Sequence, residues 1–387
     1  MNKKIKSICV VTGTRADYGI YYPLLKKLNR HPTFKLSLLV TGMHLSPENG
    51  FTFELIKKDK FPIMGIVDTI MVHQNDANMA RSIGLGVLGM TQLFETNKPD
   101  WVIVLGDRGE MLSAAIAAIH LNIPVAHLHG GERSGSIDES IRHAISKLSH
   151  LHFPSTKKNG ARLKRMGEDP SRIFVAGSLR VEGMFAEPLK DLEVVLQEYG
   201  LPETISSKSY FLFIFHPVTY EWKSVSGQTE TILKLLTTKG KPIICILPNT
   251  DAGAGEILKC YKKFENDPHF HMVKNFHHQD YLTILKNAHA LIGNSSSGII
   301  EAATYQVPVI NIGSRQNHRE RSLNVIDAAP EKDELNQALA AIEDEEYSKK
   351  LKRVKNVYGI GDTSDIIINT IQRTAFTPDF IAKTNSY

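Results

Sequence analysis

The chain has 387 residues, 42% hydrophobic and 22% charged, with 46 Lys and Arg against 41 Asp and Glu. That length exceeds one ordinary core and predicts two domains of a soluble globular protein. A net charge of +5 without any basic block speaks against nucleic-acid binding and suits small anionic ligands. The cysteines Cys9, Cys245 and Cys260 are odd in number and form no CxxC, which points to a reducing compartment. No apolar run reaches the ~18 residues that a membrane span needs. The basic N-terminus leads into only a short apolar run at 8–11, so a buried first strand is expected there rather than a signal peptide, in a cytoplasmic protein.

In chain order, apolar runs at 7–11, 36–40, 101–105, 125–128 and 152–154 predict the strands of a first domain. Runs at 211–215, 242–247, 270–273, 290–292 and 309–312 predict those of a second. The first-domain runs are continuous rather than alternating, as parallel strands covered on both faces require. Helical patterns at 20–28, 111–120, 137–149, 228–237, 281–287 and 299–305 complete a β-α-β rhythm. The expected fold class is α/β, with two doubly wound, Rossmann-like domains facing a cleft. Domain 1 is expected over 1–178, domain 2 over 179–364, and a C-terminal helix and tail over 365–387, able to pack back on domain 1. A strand-like 173–176 precedes the boundary, and a polar helical stretch at 189–199 follows it. Ligands of open α/β sheets bind at the C-terminal ends of the strands, and most of the unusual residues here fall there.

After the first strand comes Thr12-Gly13-Thr14-Arg15-Ala16-Asp17-Tyr18-Gly19. The Gly permits close backbone approach, and Arg15 can pair with a phosphate. A plain βα turn explains the stretch equally well, and neither GxGxxG nor GxxxxGK[ST] occurs. After the second strand, His44 of Thr41-Gly42-Met43-His44 is as readily structural as functional. Gly106-Asp107-Arg108-Gly109-Glu110 puts three charges directly after a buried strand. Helix capping by Asp107 is the bland reading, but a cap does not require Arg108 and Glu110, so function is favoured. The densest stretch runs from His127 and His129 through Glu132, Arg133, Asp138, Glu139 and Arg142 to His143. His127, His129 and Glu132 have a metal-like spacing without a partner cluster, so acid/base chemistry is preferred and no metal is expected. On the helix 137–149, Asp138 and Arg142 share a face, as do Glu139 and His143; ordinary pairing on a solvated helix is the alternative.

In the second half, His216 and Asn249 follow strands in turns that plain polarity would also explain. Gly293-Asn294-Ser295-Ser296-Ser297-Gly298 ends a strand and opens a helix. Such a turn aims N–H groups and hydroxyls at a phosphate. Glu301, expected in the first helical turn, would accept from a ribose diol. Arg315, in Gly313-Ser314-Arg315-Gln316, would face a diphosphate or a base.

The segments GTRADYG, TGMH, LGDRGE, HGGERSGSIDESIRHAISKLSH, FHPVT, GNSSSGIIEA and GSRQ occur in this order. The chain thereby resembles the hydrolysing UDP-N-acetylglucosamine 2-epimerases over residues 5–320. Any one motif is weak; seven in order are specific. Arg15-Ala16-Asp17 resembles the hydrolysing branch rather than the GTRPE of the non-hydrolysing one. The resemblance implies a glycosyltransferase-B-like fold and the conversion of UDP-GlcNAc and water to N-acetylmannosamine and UDP. The route would be elimination of UDP to a 2-acetamidoglucal followed by hydration, as the first step of sialic acid synthesis. The same chemistry on UDP-N,N'-diacetylbacillosamine, towards a legionaminic-type acid, is the rival. A UDP-sugar substrate, UDP product, no cofactor, no nucleic-acid or membrane partner, and a homodimer or homotetramer are also implied.

Residue by residue, the resemblance places Asp107, His129, Glu132, Asp138, Glu139, Arg142 and His216 in or beside catalysis. It places Arg15, His44, Arg108, Asn249, Ser296, Ser297, Gly298, Glu301 and Arg315 on UDP or substrate. Many relatives carry Glu where this chain has His129, whereas other hydrolysing members carry His, which serves as a base near neutral pH. The base at C2 stays open among Asp107, Glu139 and His129. Two other classes are weighed. A glycosyltransferase of this fold would need an acceptor groove and no acid/base cluster. A non-catalytic sugar-nucleotide sensor would not need Asp107 and Glu139.

Overall fold

The computed structural model describes residues 5–71, 76–133, 137–218, 224–248 and 253–386. The chain forms two compact units, Met1–Gly183 with Tyr358–Tyr387, and Met184–Val357. The division therefore falls a few residues from the 178/179 and 364/365 boundaries suggested by the sequence.

The first unit runs β1 (Lys6–Thr12), α1 (Arg15–Arg30), β2 (Phe34–Thr41), α2 (Phe53–Asp59), β3 (Ile63–Val67), α3 (Asp76–Asn97), β4 (Trp101–Leu105), α4 (Gly109–His120), β5 (Val125–Leu128), α5 (Ile137–Leu148), β6 (Leu151–Phe153), α6 (Lys157–Arg165) and α7 (Leu179–Gly183). Its six strands are parallel, in the order β3-β2-β1-β4-β5-β6. Successive side chains of a strand point to opposite faces. Ile8 and Val10 of β1, with Trp101 and Ile103 of β4, pack against Leu24 and Leu28 of α1. Cys9, Val11, Val102 and Val104 pack on the other face, against Ala114 and Ala118 of α4. Both faces are covered, which is why these strands read as unbroken apolar runs.

The second unit runs α8 (Leu192–Glu198), β7 (Phe211–Ile214), α9 (Val225–Thr237), β8 (Ile243–Ile246), α10 (Ala254–Lys262), β9 (Phe270–Val273), α11 (His278–Asn287), β10 (Ala290–Gly293), α12 (Ser296–Ile300), β11 (Val309–Ile312), β12 (Val325–Ala328), α13 (Lys332–Glu343) and α14 (Glu345–Leu351). Its sheet is again parallel, in the order β12-β11-β10-β7-β8-β9. Phe211 and Phe213 face one core, and Leu212 and Ile214 face the other. The chain then returns to the first unit with α15 (Thr363–Arg373) and α16 (Pro378–Ile381). Ile367, Ile368 and Ile371 of α15 join the core beneath α1.

Two expectations need correction. Residues 173–176 form no regular strand; they run beside β6 with one bridge, Ile173 to His152, and with N–H groups of Phe174 and Ala176 donating to the carbonyls of His152 at 2.9 Å and Pro154 at 3.1 Å. Glu301 is not in a first helical turn: Ser295 caps α12, and Glu301 stands at its C-terminal end. Both sheets are doubly wound, with the strand order reversing between β1 and β4 and between β7 and β10. Such reversals open a crevice at the strand ends. No helix among the described residues is long and apolar enough to cross a membrane.

Candidate functional site

In the first unit, Gly106 turns the chain out of β4 with φ of 76°, which glycine adopts without steric cost. Arg108, not Asp107, occupies the N-cap of α4, and it makes no side-chain capping bond. Asp107 is thereby released to pair with Arg142 of α5. The Arg142 guanidinium is 9% exposed; it donates to the His129 carbonyl at 3.0 Å and lies 3.5 Å from Glu132. His129 has a left-handed φ of 61°. Such a non-glycine residue costs about 1–3 kcal/mol and persists where its surroundings hold it. Here its N–H donates to Phe153 at 3.0 Å while Arg142 takes its carbonyl.

The Glu132 carboxylate accepts from the Ser155 hydroxyl at 2.5 Å and lies 3.9 Å from His129 Nδ1. Ser155 in turn accepts from the Asn159 amide at 3.1 Å. Glu139 sits 3.7 Å from Arg133 and 3.8 Å from His143, the latter being the i,i+4 pair expected from sequence. Burial raises the Asp107 pKa, and the neighbouring Asp138 and Glu132 add to the rise; Arg142 opposes it without cancelling it. The outcome is a carboxyl that holds its proton to higher pH than a free aspartate while remaining in contact with a fixed cation. That suits a group asked both to take and to give a proton.

His127 is fully buried and bridges the Gly106 carbonyl at 2.8 Å and Ser146 Oγ at 3.1 Å. Burial pushes its pKa down to about 3, so the neutral ring acts as a strut between the β4 turn and α5. Among the described residues, no group of three or more His, Cys, Asp or Glu is placed to hold a metal.

A second knot lies at the ends of β1, β2 and β4. Asp17 accepts from Thr12, from the N–H groups of Gly13 at 3.2 Å and Thr14 at 2.9 Å, and from the Thr14 hydroxyl at 3.0 Å. Burial pushes its carboxyl up to about 6. His44 is buried, with its ring nitrogens 2.9 Å from the Thr12 and 2.8 Å from the Thr52 hydroxyls, and burial lowers its pKa to about 4. It ties two turns together rather than presenting a ring to a ligand. Arg108 donates twice to Glu110, at 3.2 and 3.1 Å. Arg15 opens α1 with an exposed side chain. A cavity of about 290 Å³ opens beside this knot, with Arg108, Glu110 and Asp138 on its wall.

In the second unit, the turns after β7 and β10 are joined by Asn294. Its amide accepts from His216 N–H at 2.7 Å and donates to the His216 carbonyl at 2.8 Å. Its own carbonyl receives Arg315 at 3.2 Å and Gln316 at 2.9 Å. The chain reaches this position through Gly293, at φ 134°, where a Cβ would run into the Ile214 carbonyl. The Ser297 hydroxyl bonds Tyr281 and lies 3.1 Å from Ser295 Oγ. Gly298 is buried against Val309, with Ser296 beside it. Glu301 is 2% exposed, 4.0 Å from His278. His216, Ser296, Ser297, Gly298, Glu301 and Arg315 thus gather at one strand-end region of this unit. Asn249 lies outside the described residues.

The model of the UDP-N-acetylglucosamine 2-epimerase family matches residues 26–372. The chain belongs to this family. The Legionella pneumophila UDP-N,N'-diacetylbacillosamine 2-epimerase (hydrolyzing) is 42% identical over 99% of this chain and 100% of its own length. The Neisseria meningitidis serogroup B UDP-N-acetylglucosamine 2-epimerase is 36% identical over 83% of each chain. Among solved structures, the N. meningitidis UDP-GlcNAc 2-epimerase bound to UDP-GlcNAc superposes with a TM-score of 0.76 at 19% identity. It covers 95% of this chain and 100% of that one, and at this identity the likeness shows the fold, two Rossmann-like domains of the glycosyltransferase-B-like class.

Sequence reasoning for this family member missed several site residues. Asn294 stood inside the Ser-rich motif, and its place between a Gly and a Ser at a strand end was the available signal. Ser155 and Asn159, which hold Glu132, follow β6 just as the other motifs follow their strands. Tyr281 gave no signal, because its contact with Ser297 joins two helices 16 residues apart.

Proposed function

We propose that the chain is a hydrolysing 2-epimerase acting on a UDP-linked 2-acetamido sugar. The observation that carries the reading is the assembly of Asp107, Glu132 and the His129 turn around the buried cation Arg142. A pyranose C2 proton has no adjacent carbonyl to acidify it, so its removal must be coupled to rupture of the anomeric bond. A base takes the proton at C2, that electron pair forms C1=C2, and the C1–O bond breaks so that UDP departs with its electrons. Water then adds across the glucal: a proton enters C2 from the opposite face and hydroxide enters C1. The free sugar leaves with C2 inverted.

Asp107, His129 and Glu139 are the candidate groups for the C2 proton, each such transfer contributing ~10²–10⁴ in rate. Glu132 and Asp138 set the local charge, and Arg142 fixes the cluster. Ser296, Ser297, Gly298, His216 and Arg315 are assigned to the departing diphosphate, as cationic and hydrogen-bonding groups should be. Glu301 is assigned to the ribose hydroxyls, and Arg15, Arg108 and Asn249 to further substrate contacts. No cofactor enters, and the form proposed is a cytoplasmic homodimer or homotetramer.

On UDP-GlcNAc the products are N-acetylmannosamine and UDP. A second reading, UDP-N,N'-diacetylbacillosamine as substrate, is favoured by the activity for which the 42% identical Legionella relative is named. Incubation in deuterated water, followed by NMR, tests the reaction on either sugar. Free UDP and a 2-epimeric sugar deuterated at C2 are expected; UDP release without epimerised sugar would rule out this mechanism.

A further inference from the structure

The C-terminal tail places a buried ammonium against the helix that carries Arg142. Lys383 Nζ, on a side chain 10% exposed, donates to the carbonyls of Ser146, Lys147 and Ser149 at 3.1, 2.9 and 2.7 Å. These carbonyls stand at the C-terminal end of α5, where a helix leaves acceptors without intrahelical partners and gathers partial negative charge. An ammonium supplies both the donors and the opposite charge. Glu168 balances it at 2.5 Å. The tail that delivers Lys383 is itself pinned to this unit. Phe376 and Phe380 pack on Trp101, with ring centroids 5.5 and 5.8 Å apart. Arg172 donates to the carbonyls of Phe380 and Asp379 at 2.9 and 3.1 Å, and the Ser386 N–H donates to Gly167 at 3.0 Å. Lysine is seldom buried, and an apolar side chain would cover the same surface without the loss of hydration.

The anchored turn connects to the catalytic cluster through named contacts. Ser146, whose carbonyl Lys383 holds, donates its hydroxyl to the Arg142 carbonyl at 3.1 Å. The same hydroxyl lies 3.1 Å from His127 Nδ1. His127 Nε2 lies 2.8 Å from the carbonyl of Gly106, the residue before Asp107. Resting on the 2-epimerase reading, we propose that Lys383 is a positioning residue for the reaction: by holding the C-terminal end of α5, it sets where the Arg142 guanidinium meets Asp107. Lys383 touches no reacting atom in this assignment and acts through the helix. A misplacement of about 1 Å, caused far from the chemistry, can cost about 10²-fold in rate, and Arg142 stands one helical turn from Ser146.

Two variants separate positioning from stability. Lys383→Met removes the ammonium and keeps an unbranched stem. Glu168→Gln breaks the ion pair but leaves the three carbonyls their donor. Both should melt earlier than the wild type. Each is assayed for UDP release from UDP-GlcNAc and from UDP-N,N'-diacetylbacillosamine. In Lys383→Met, kcat is expected to fall at least about tenfold with KM held within about threefold, because the groups assigned to UDP are untouched. In Glu168→Gln, kcat is expected to stay within about threefold of the wild type. Arg142 lowers the Asp107 pKa against burial, Asp138 and Glu132. A displaced guanidinium should therefore shift the acid limb of kcat/KM to higher pH in Lys383→Met, whereas loss of folded protein lowers the whole profile without shifting it. Wild-type kcat in folded Lys383→Met, an equal loss of kcat in both variants, or an unshifted acid limb would overturn the positioning role and leave the reaction intact. No UDP release by the wild type from either sugar would overturn the reaction and the role with it. Hydrogen exchange of the wild type needs no variant. The amides of residues 380–383, each bonded within the tail, should be protected together with those of 145–149 as one cooperative unit. Tail amides exchanging at the rate of an unfolded chain would overturn the anchor even if Lys383→Met does not fold.

Discussion

Replacing Asp107 by Asn tests the centre of the mechanism with the smallest change of shape. The side-chain oxygen that Arg142 holds is kept, and the titratable proton is lost. If Asp107 exchanges a proton with the sugar, kcat should fall ~10²–10⁴-fold, which at 1.36 kcal/mol per decade is ~3–5 kcal/mol of barrier. The fold should persist. Breaking a buried ion pair costs about 3–5 kcal/mol when the remaining charge is left alone, but Arg142 keeps Glu132 at 3.5 Å and the His129 carbonyl at 3.0 Å. The cost in stability should therefore stay below that range. The pH dependence supplies a second readout. Burial, Asp138 and Glu132 raise the Asp107 pKa, so its base form appears only above the pH at which a free aspartate ionises. The acid limb of kcat/KM should be displaced upward in the wild type and change in the variant. The sign for stability follows from linkage: a carboxyl whose folded pKa is raised favours the native state at low pH, and that contribution is lost as pH rises through the folded pKa. The variant should lack this slope. Stopped assays of UDP release, calorimetry with UDP and urea titrations against pH measure all three quantities. Wild-type kcat in a folded variant that still binds UDP would refute the assignment.

Glu301→Ala should weaken UDP binding about 10–100-fold by calorimetry, the scale of a hydrogen bond to a charged group; an unchanged Kd removes the ribose contact. Gly293→Ala should cost at least about 2 kcal/mol in urea denaturation, because φ of 134° and the Ile214 carbonyl leave no place for a Cβ; a native-like melt would contradict the close approach of β7 and β10 at this turn. Glu168 is fully buried, 2.8 Å from His152, 2.5 Å from Lys383 and 3.1 Å from Lys147. Burial pushes its carboxyl up, but His152 and Lys383 outweigh it and hold the pKa at about 2. This depressed pKa contributes ~3 kcal/mol above the unfolded value near 4.5, lost as pH falls towards 2. Glu168→Gln should lose a similar amount at pH 7 and flatten the acid limb of the stability curve; equal stability at neutral pH would contradict the pairing.

The strands buried on both faces were legible because burial forces an unbroken apolar run, as in Trp101–Leu105. The edge strands β3 and β12 were not, since each is only partly buried and its short apolar stretch is interrupted, by Gly65 in β3 and by Asp327 in β12. The helix α3 was masked by Gly84, Gly86 and Gly89, residues that weaken helix propensity. Tertiary packing explains two of them: a Cβ at Gly86 would meet Ser113 at 2.6 Å, and one at Gly89 would meet Val67 at 2.7 Å. The positions of the site motifs were legible from strand ends, but their internal wiring was not. Spacing pairs Arg142 with Asp138 on one helix face, yet its guanidinium reaches Asp107, 35 residues away. A partner at that separation is set by strand order, which no local pattern encodes.

The fold and the reaction rest on different residues. A solved relative at 19% identity keeps the same architecture with a TM-score of 0.76, so two doubly wound sheets can be built from largely different side chains and cannot by themselves name a chemistry. The Ser-rich turn of the second unit is equally general, since hydroxyls and a buried carboxylate after a strand suit any UDP-linked ligand. The first unit is more selective. One buried cation, Arg142, serves two carboxylates, Asp107 and Glu132, and also fixes the carbonyl of a left-handed His129. Burial and the neighbouring Asp138 and Glu132 raise the Asp107 pKa against the pull of Arg142, so Asp107 holds its proton to higher pH than a free aspartate. The proposed route needs a base in its elimination half and an acid in its hydration half, and a carboxyl poised in this way can change role between them. A glycosyl transfer that passes the sugar to an acceptor without touching C2 has no use for that arrangement. Under the proposed reading, the Asp107–Arg142–Glu132 cluster is therefore the part of the molecule whose substitution should separate the two chemistries, and the His129 carbonyl is held by the same guanidinium.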